Sequence, residues 1–179
     1  LAWWTEDADD SVHNSRYLGE YRGIVKALSE SHVPFDVLPS RLLTAEQAGK
    51  HDVLVAPSLA ALSDAEATVV SAFAQAGGTV VFTGAQAPAT MDERGRAKNR
   101  PDFQAEGTYA VGFPKNAAFG NGRFYWLPDV GRRLLRGDDG AKELLADLRT
   151  VVGDRATPIV RTDAGAGIHL DAYRRDERT

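Results

Sequence analysis

The sequence predicts an α/β fold built on a doubly wound, mostly parallel sheet. Three observations carry that prediction. Short apolar runs alternate with amphipathic helical stretches over the first 83 residues. The runs are apolar at nearly every position, as strands covered by helices on both faces must be. Stop and capping residues stand at the changes of pattern, at Pro34, Thr44, Pro57, Ser63 and Gly77-Gly78.

The elements follow in order. Leu1-Ala2-Trp3-Trp4 reads as a first strand, and the acidic run Glu6-Asp7-Ala8-Asp9-Asp10 as the loop after it. Leu18, Tyr21, Val25 and Leu28 recur at spacings of three and four, which marks a helix that Pro34 stops. Phe35 to Leu38 reads as a short second strand. Thr44 with Gln47, and Ser63 with Glu66, have capping-box spacing for two helices. Asp52 to Ala56 is the strand between them. The second of these helices turns Val69, Val70 and Phe73 inward and ends at Gly77-Gly78, and Thr79 to Thr83 is the fourth strand.

Beyond Gly84 the alternation breaks. Residues 84–108 read as a long functional or interface loop. Tyr109 to Phe113 and Arg123 to Leu127 read as strands joined through the turn-rich stretch Pro114 to Gly122, with Asn121-Gly122 in the turn. A helix is expected from about Asp139 to Val152. Pro158 to Arg161 and Ile168 to Tyr173 form a final small strand pair. We therefore divide the chain into an α/β domain over 1–155 and a C-terminal strand pair over 156–179, the latter a satellite or the start of a following domain.

Composition narrows the function. With 43% hydrophobic and 26% charged residues, the chain has ordinary globular usage and can form a packed core. Its formal charge of −4 and the lack of a basic stripe argue against a nucleic-acid partner. No apolar run is long enough for a membrane helix, and no membrane partner is expected. The absence of cysteine removes disulfides, thiolate metal sites and a cysteine nucleophile, and leaves the compartment open, with cytoplasmic slightly favoured. The chain opens on Leu1 and its one methionine is Met91, so we read it as a module of a larger protein.

Ligand crevices in such sheets lie beyond the carboxyl ends of the strands. Asp7 and Asp9 fall there, with His13, Ser58 and Gln86, and these five are the ligand-binding candidates. Clustered carboxylates suit a hard cation or sugar hydroxyls. The same acids equally suit a solvated helix start, where they meet the positive end of the dipole; that second reading is preferred, and no metal or cofactor is expected. Asp92 and Glu93, with Arg100 and Phe103, are read as loop-docking and interface residues, because adjacent acids in a loop rarely flank a sugar as glycosidase carboxylates do. The aromatic residues are read mostly as core, with Trp4 or Trp126 as possible exposed exceptions at strand ends.

Several of these segments together resemble a known family. They are Tyr21 to Leu38, the strand ending in Pro57, the run Gly77-Gly78-Thr79-Val80-Val81-Phe82-Thr83-Gly84, Asp92-Glu93 with Gly95 followed by Arg100 to Phe103, and Phe119 to Pro128. In this order they resemble a class I glutamine amidotransferase-like domain, a flavodoxin-like or Rossmann-like fold. They are most similar to the trimerisation domain of family 42 β-galactosidases and related modular glycoside hydrolases. The resemblance spans about residues 1–155. Active amidotransferases carry a cysteine after the strand matching Thr79 to Thr83, and a His-Pro-Glu sequence at the end of a later strand. Here those places hold Gly84 and Leu127-Pro128-Asp129. The resemblance therefore implies a degenerate triad at Gly84, Leu127 and Asp129, with nucleophile and base both missing.

Two functional expectations follow. The preferred one is a non-catalytic interaction or oligomerisation module of a glycoside hydrolase. Its partners would be other domains of the parent chain or further copies, a trimer among them. The alternative is a sugar- or metal-binding, or hydrolytic, domain that uses the carboxyl-end crevice.

Overall fold

The computed structural model describes residues 10–30, 33–59, 61–84, 89–91, 116–127, 130–135 and 146. The elements are α1 (Asp10–Glu30), a 3-10 turn (Ser40–Leu42), α2 (Ala45–Ala48), β1 (Val53–Pro57), β2 (Ala61–Ser63), α3 (Asp64–Gln75), β3 (Thr79–Thr83), β4 (Ala89–Met91), β5 (Asn116–Phe119), β6 (Gly122–Leu127) and α4 (Val130–Leu135). Among the described residues the main sheet has the order β1-β3-β6-β5. β1, β3 and β6 are parallel, with Val55 beside Val81 and Val81 beside Tyr125. β5 runs antiparallel to β6. β2 and β4 form a separate parallel pair.

β3 is buried at every position, because it has a strand on each side and apolar groups over both faces. Its side chains alternate accordingly. Val80 and Phe82 point toward α3 and pack with Val70, Ala74 and Phe124. Val81 points to the opposite face and packs with Tyr125, Val53 and Leu127. The Phe82 and Phe124 rings lie parallel at 6.0 Å, and Phe119 meets Phe124 edge-on at 5.4 Å. On the second face Ile24 and Ala27 of α1 pack with Val130 and Leu134 of α4, over Val55 and Leu127. Helices thus cover both faces of a mostly parallel sheet.

α3 begins and ends as its sequence demands. The Ser63 Oγ accepts from the Glu66 N–H at 3.2 Å, and the Ser63 N–H donates to the Glu66 carboxylate at 2.8 Å. That reciprocal pair satisfies two amides of the opening turn. At the other end Gly77 N–H donates to Ala74 O and Gly78 N–H to Phe73 O, both at 3.0 Å, with Gly77 at φ +111°. This is the Schellman ending, and it turns the chain directly into β3. Thr44 caps α2 through the Gln47 N–H at 3.2 Å.

The buried face of α1 differs from the expected one. Leu18, Tyr21, Val25 and Leu28 are only half-buried, and the seam is Glu20, Gly23, Ile24 and Ala27. The reason is a close approach to α4. A Cβ on Gly23 would overlap the Gly131 carbonyl, and one on Gly131 would overlap the Glu20 carbonyl. Glu20 is fully buried, and its carboxylate accepts from Gly131 N–H at 2.9 Å and Arg132 N–H at 3.0 Å. It supplies acceptors that the first turn of α4 lacks internally.

Other expectations are corrected. Residues 33–39 form no strand: Phe35 and Val37 are 38% and 59% exposed, and Asp36 lies 3.9 Å from His51. Pro34 and Pro39 bracket the segment and remove two ladder donors. The stretch read as a turn before Gly122 contains β5, so the hairpin turn is only Gly120-Asn121. The stretch read as a loop after Gly84 contains β4. The first strand at Trp3-Trp4, the strand Tyr109 to Phe113, the 155/156 boundary and the C-terminal strand pair lie outside the described residues. So does the helix from Asp139, apart from Ala146, which is helical.

On α1 the Tyr17 and Tyr21 rings stack at 6.2 Å. Burial, and then the Tyr21 phenol, push the Tyr17 pKa above the ordinary tyrosine value. A raised folded pKa means that the native state holds this proton more tightly. Its contribution to stability is complete below about pH 10 and fades as pH rises through the folded value. Urea midpoints taken at increasing alkaline pH should fall less steeply for Tyr17→Phe than for the unaltered chain. At neutral pH, Glu20→Ala should lower unfolding free energy by about 3 kcal/mol, by stranding two amides that a charged acceptor satisfies. Gly23→Ala should cost about 2 kcal/mol by overpacking the seam. Both are read from urea titrations, and neutral results would show that α1 and α4 do not meet this closely.

Candidate functional site at the carboxyl ends of the strands

The parallel register brings the ends of β1, β3 and β6 to one rim. Pro57 lies beside Thr83, and Thr83 beside Leu127. Ser58 follows β1 with φ +46°, in the left-handed region that costs a non-glycine residue about 1–2 kcal/mol. Its N–H donates to Thr83 O at 2.9 Å, which extends the ladder one residue past the strand and holds the turn. Gly84 follows β3 with φ +105° and is buried. A Cβ at Gly84 would stand 2.8 Å from Ser58 Cα and 3.0 Å from its Oγ. From β6 the Trp126 Nε1–H donates to Gly84 O at 3.1 Å. Thr83 is 2% exposed, and its hydroxyl has no hydrogen-bond partner among the described residues.

This geometry bears on chemistry. Catalysis by a nucleophile needs a side chain at the turn, a base within hydrogen-bond reach, and a group that orients the base. At Gly84 the Ser58 backbone occupies the space a side chain would need. At the end of β6, Leu127 packs with the α1/α4 cluster and offers no proton acceptor. Among the described residues Ser58 and Thr83 carry hydroxyls at the rim. His51 precedes β1 while Ser58 follows it, so a strand length of about 17 Å separates them and they form no catalytic pair. No group of three or more acidic or histidine side chains able to hold a metal occurs among the described residues.

Of the residues singled out from sequence, Ser58, Gly84 and Leu127 are brought together at this rim. His13 lies in the first turn of α1. Asp7, Asp9, Gln86, Asp92, Glu93, Arg100, Phe103 and Asp129 lie outside the described residues. Trp126 is not an exposed stacking platform: it is half-buried, packs against the α3-side core and closes over Gly84. Sequence reading missed Thr83 as a site residue. The available signal was its place as the last residue of the strand Thr79 to Thr83, next to the glycine turn.

Gly84→Ala should lower stability by about 2 kcal/mol or more, from the positive φ and the overlap with Ser58. Ser58→Gly should raise it by about 1 kcal/mol, by relieving the left-handed conformation. Thermal or urea unfolding reads both, and opposite signs would show the rim to be arranged otherwise. No protein-family model matches this chain, and a search of curated proteins finds no match.

Proposed function

We propose that this chain is a non-catalytic interaction module of a larger glycoside hydrolase, carried on a doubly wound α/β sheet. One observation carries the reading: the turn after β3 has no room for a side chain, because Gly84 at φ +105° lies directly against the Ser58 backbone. The lack of cysteine and the apolar Leu127 support it. The likeness to the β-galactosidase trimerisation domain supplies the parent class. Phe35, Val37 and Leu42, 38–59% exposed within one short stretch, supply apolar surface for a contact with another copy or a neighbouring domain.

A second reading, a small-ligand site at the rim, is favoured by the buried Thr83 hydroxyl, which has no hydrogen-bond partner among the described residues, and by the strained Ser58 turn. It requires saturable heat on titration with sugars or divalent cations.

Sedimentation equilibrium of the 19.3 kDa chain tests the preferred reading. The expected result is reversible self-association, weakened by Val37→Asp, with no hydrolysis of glutamine or of aryl glycosides. A strict monomer over a wide concentration range would remove the self-association. Turnover that is lost in Ser58→Ala would overturn the non-catalytic assignment.

A further inference from the structure

The tip of the β5–β6 hairpin carries a reactive pair that neither the core nor the rim uses. Of the chain's four asparagines, Asn14, Asn99, Asn116 and Asn121, only Asn121 precedes a glycine. It stands in the two-residue turn between Phe119 and Gly122, and its side chain is exposed. A backbone nitrogen can attack the side-chain amide of the residue before it, and its own side chain ordinarily hinders that approach. Gly122 has no side chain to do so. The native fold nevertheless holds the Gly122 nitrogen in place. Phe119 and Gly122 are the pair that closes the turn. The Gly122 backbone is pressed onto the end of α3, where a Cβ would overlap the Gly78 and Ala74 carbonyls. Asn121 N–H donates to Gln75 O and Arg123 N–H to Gly78 O, both at 3.2 Å. Attack needs the Asn121–Gly122 peptide to turn toward the side chain, and that turn breaks these contacts together.

We propose that Asn121 is a modification site, whose side-chain amide is hydrolysed through a cyclic imide when the hairpin tip lifts from α3. The Gly122 nitrogen bonds to Asn121 Cγ, and the Cγ–Nδ2 bond breaks. Ammonia leaves with the proton of the Gly122 amide. Water then opens the imide at either carbonyl. Opening at Cγ gives aspartate, and opening at the backbone carbonyl gives isoaspartate, with the chain rerouted through Cβ and Cγ. Water is the only co-reactant. The product fits the site less well than asparagine does. A Cβ built at Gly77 would stand 3.9 Å from Asn121 Cβ, so the new carboxylate lies beside the turn that ends α3. The carboxyl end of a helix repels a negative charge. Isoaspartate also adds a backbone carbon to a two-residue turn, which shifts the spacing of the amides that reach Gln75 O and Gly78 O. A tip that has reacted while lifted therefore returns to α3 less readily. This chemistry is independent of the proposed function.

Incubating the intact chain in mildly alkaline buffer, with peptide mapping by mass spectrometry, tests it. The mass gain of an amide-to-acid exchange should appear at Asn121 before any other asparagine. It should appear at least about tenfold faster in guanidinium chloride than under native conditions, because only the lifted tip reacts. Asn121→Gln, whose longer side chain closes the ring far less readily, should abolish the gain at that position. Asn121→Asp, which carries the product's charge, should speed amide exchange at Arg123 about threefold. An Asn121 that stays unmodified in the unfolded chain would overturn the site. Equal rates with and without guanidinium would overturn the dependence on the lifted tip. Both results come from the unaltered chain, so neither depends on a variant that folds.

Discussion

Among the described residues the tightest constraint is the contact of α1 with α4. A carboxylate taken wholly out of water is costly unless its charge is met by donors. Glu20 is met by two amides of the first turn of α4. Those amides are themselves groups that a helix start leaves without internal partners. Each side thus satisfies a need of the other, and neither element can move alone without stranding polar groups. Gly23 and Gly131 make this possible, because only residues without a Cβ let the two backbones come so near. Since α4 follows directly on β6, the contact also fixes how α1 lies across Val55 and Leu127.

The opposite face depends on a different kind of interaction. There α3 packs Val70 and Ala74 against Val80, Phe82 and Phe124. Its position is set at both ends by backbone chemistry, the Ser63 capping box at one and the glycine turn at the other. The hairpin of β5 and β6 locks onto that same glycine turn: Asn121 N–H donates to Gln75 O at 3.2 Å, and Arg123 N–H to Gly78 O at 3.2 Å. One face is therefore held by a polar clasp and the other by packing between two defined helix ends.

These two arrangements meet at the rim of the strands. Ser58, Gly84 and Trp126 close on one another through a ladder bond, a backbone contact and an indole donor. In a parallel sheet this end is where helix starts and strand ends leave room for ligands. Here the turn after the central strand is filled by its neighbour's backbone. A fold of this kind without a free turn still offers its outer surfaces, and the exposed apolar stretch from Phe35 to Leu42 lies on one of them.

The features that local chemistry governs were legible in the sequence. The strand expected over 52–56 and found one residue on at 53–57, the strand at 79–83, both capped helices and the glycine ending of α3 follow from β-branched runs, Ser/Thr-x-x-Glu/Gln spacing and a helix-terminating glycine pair. The missing cysteine and the apolar residue at Leu127 were legible as well. What tertiary structure decided was pairing. A periodic leucine and tyrosine stripe marked α1 as a helix, but the buried seam runs through Glu20 and Gly23, because α4 approaches there and periodicity carries no information about the partner. Phe35 to Leu38 has the alternation of a strand without the ladder, since a strand exists only where a neighbour accepts its hydrogen bonds. The closeness of Ser58 to Gly84 likewise depends on two strands lying side by side in register, a fact that no single stretch of residues contains.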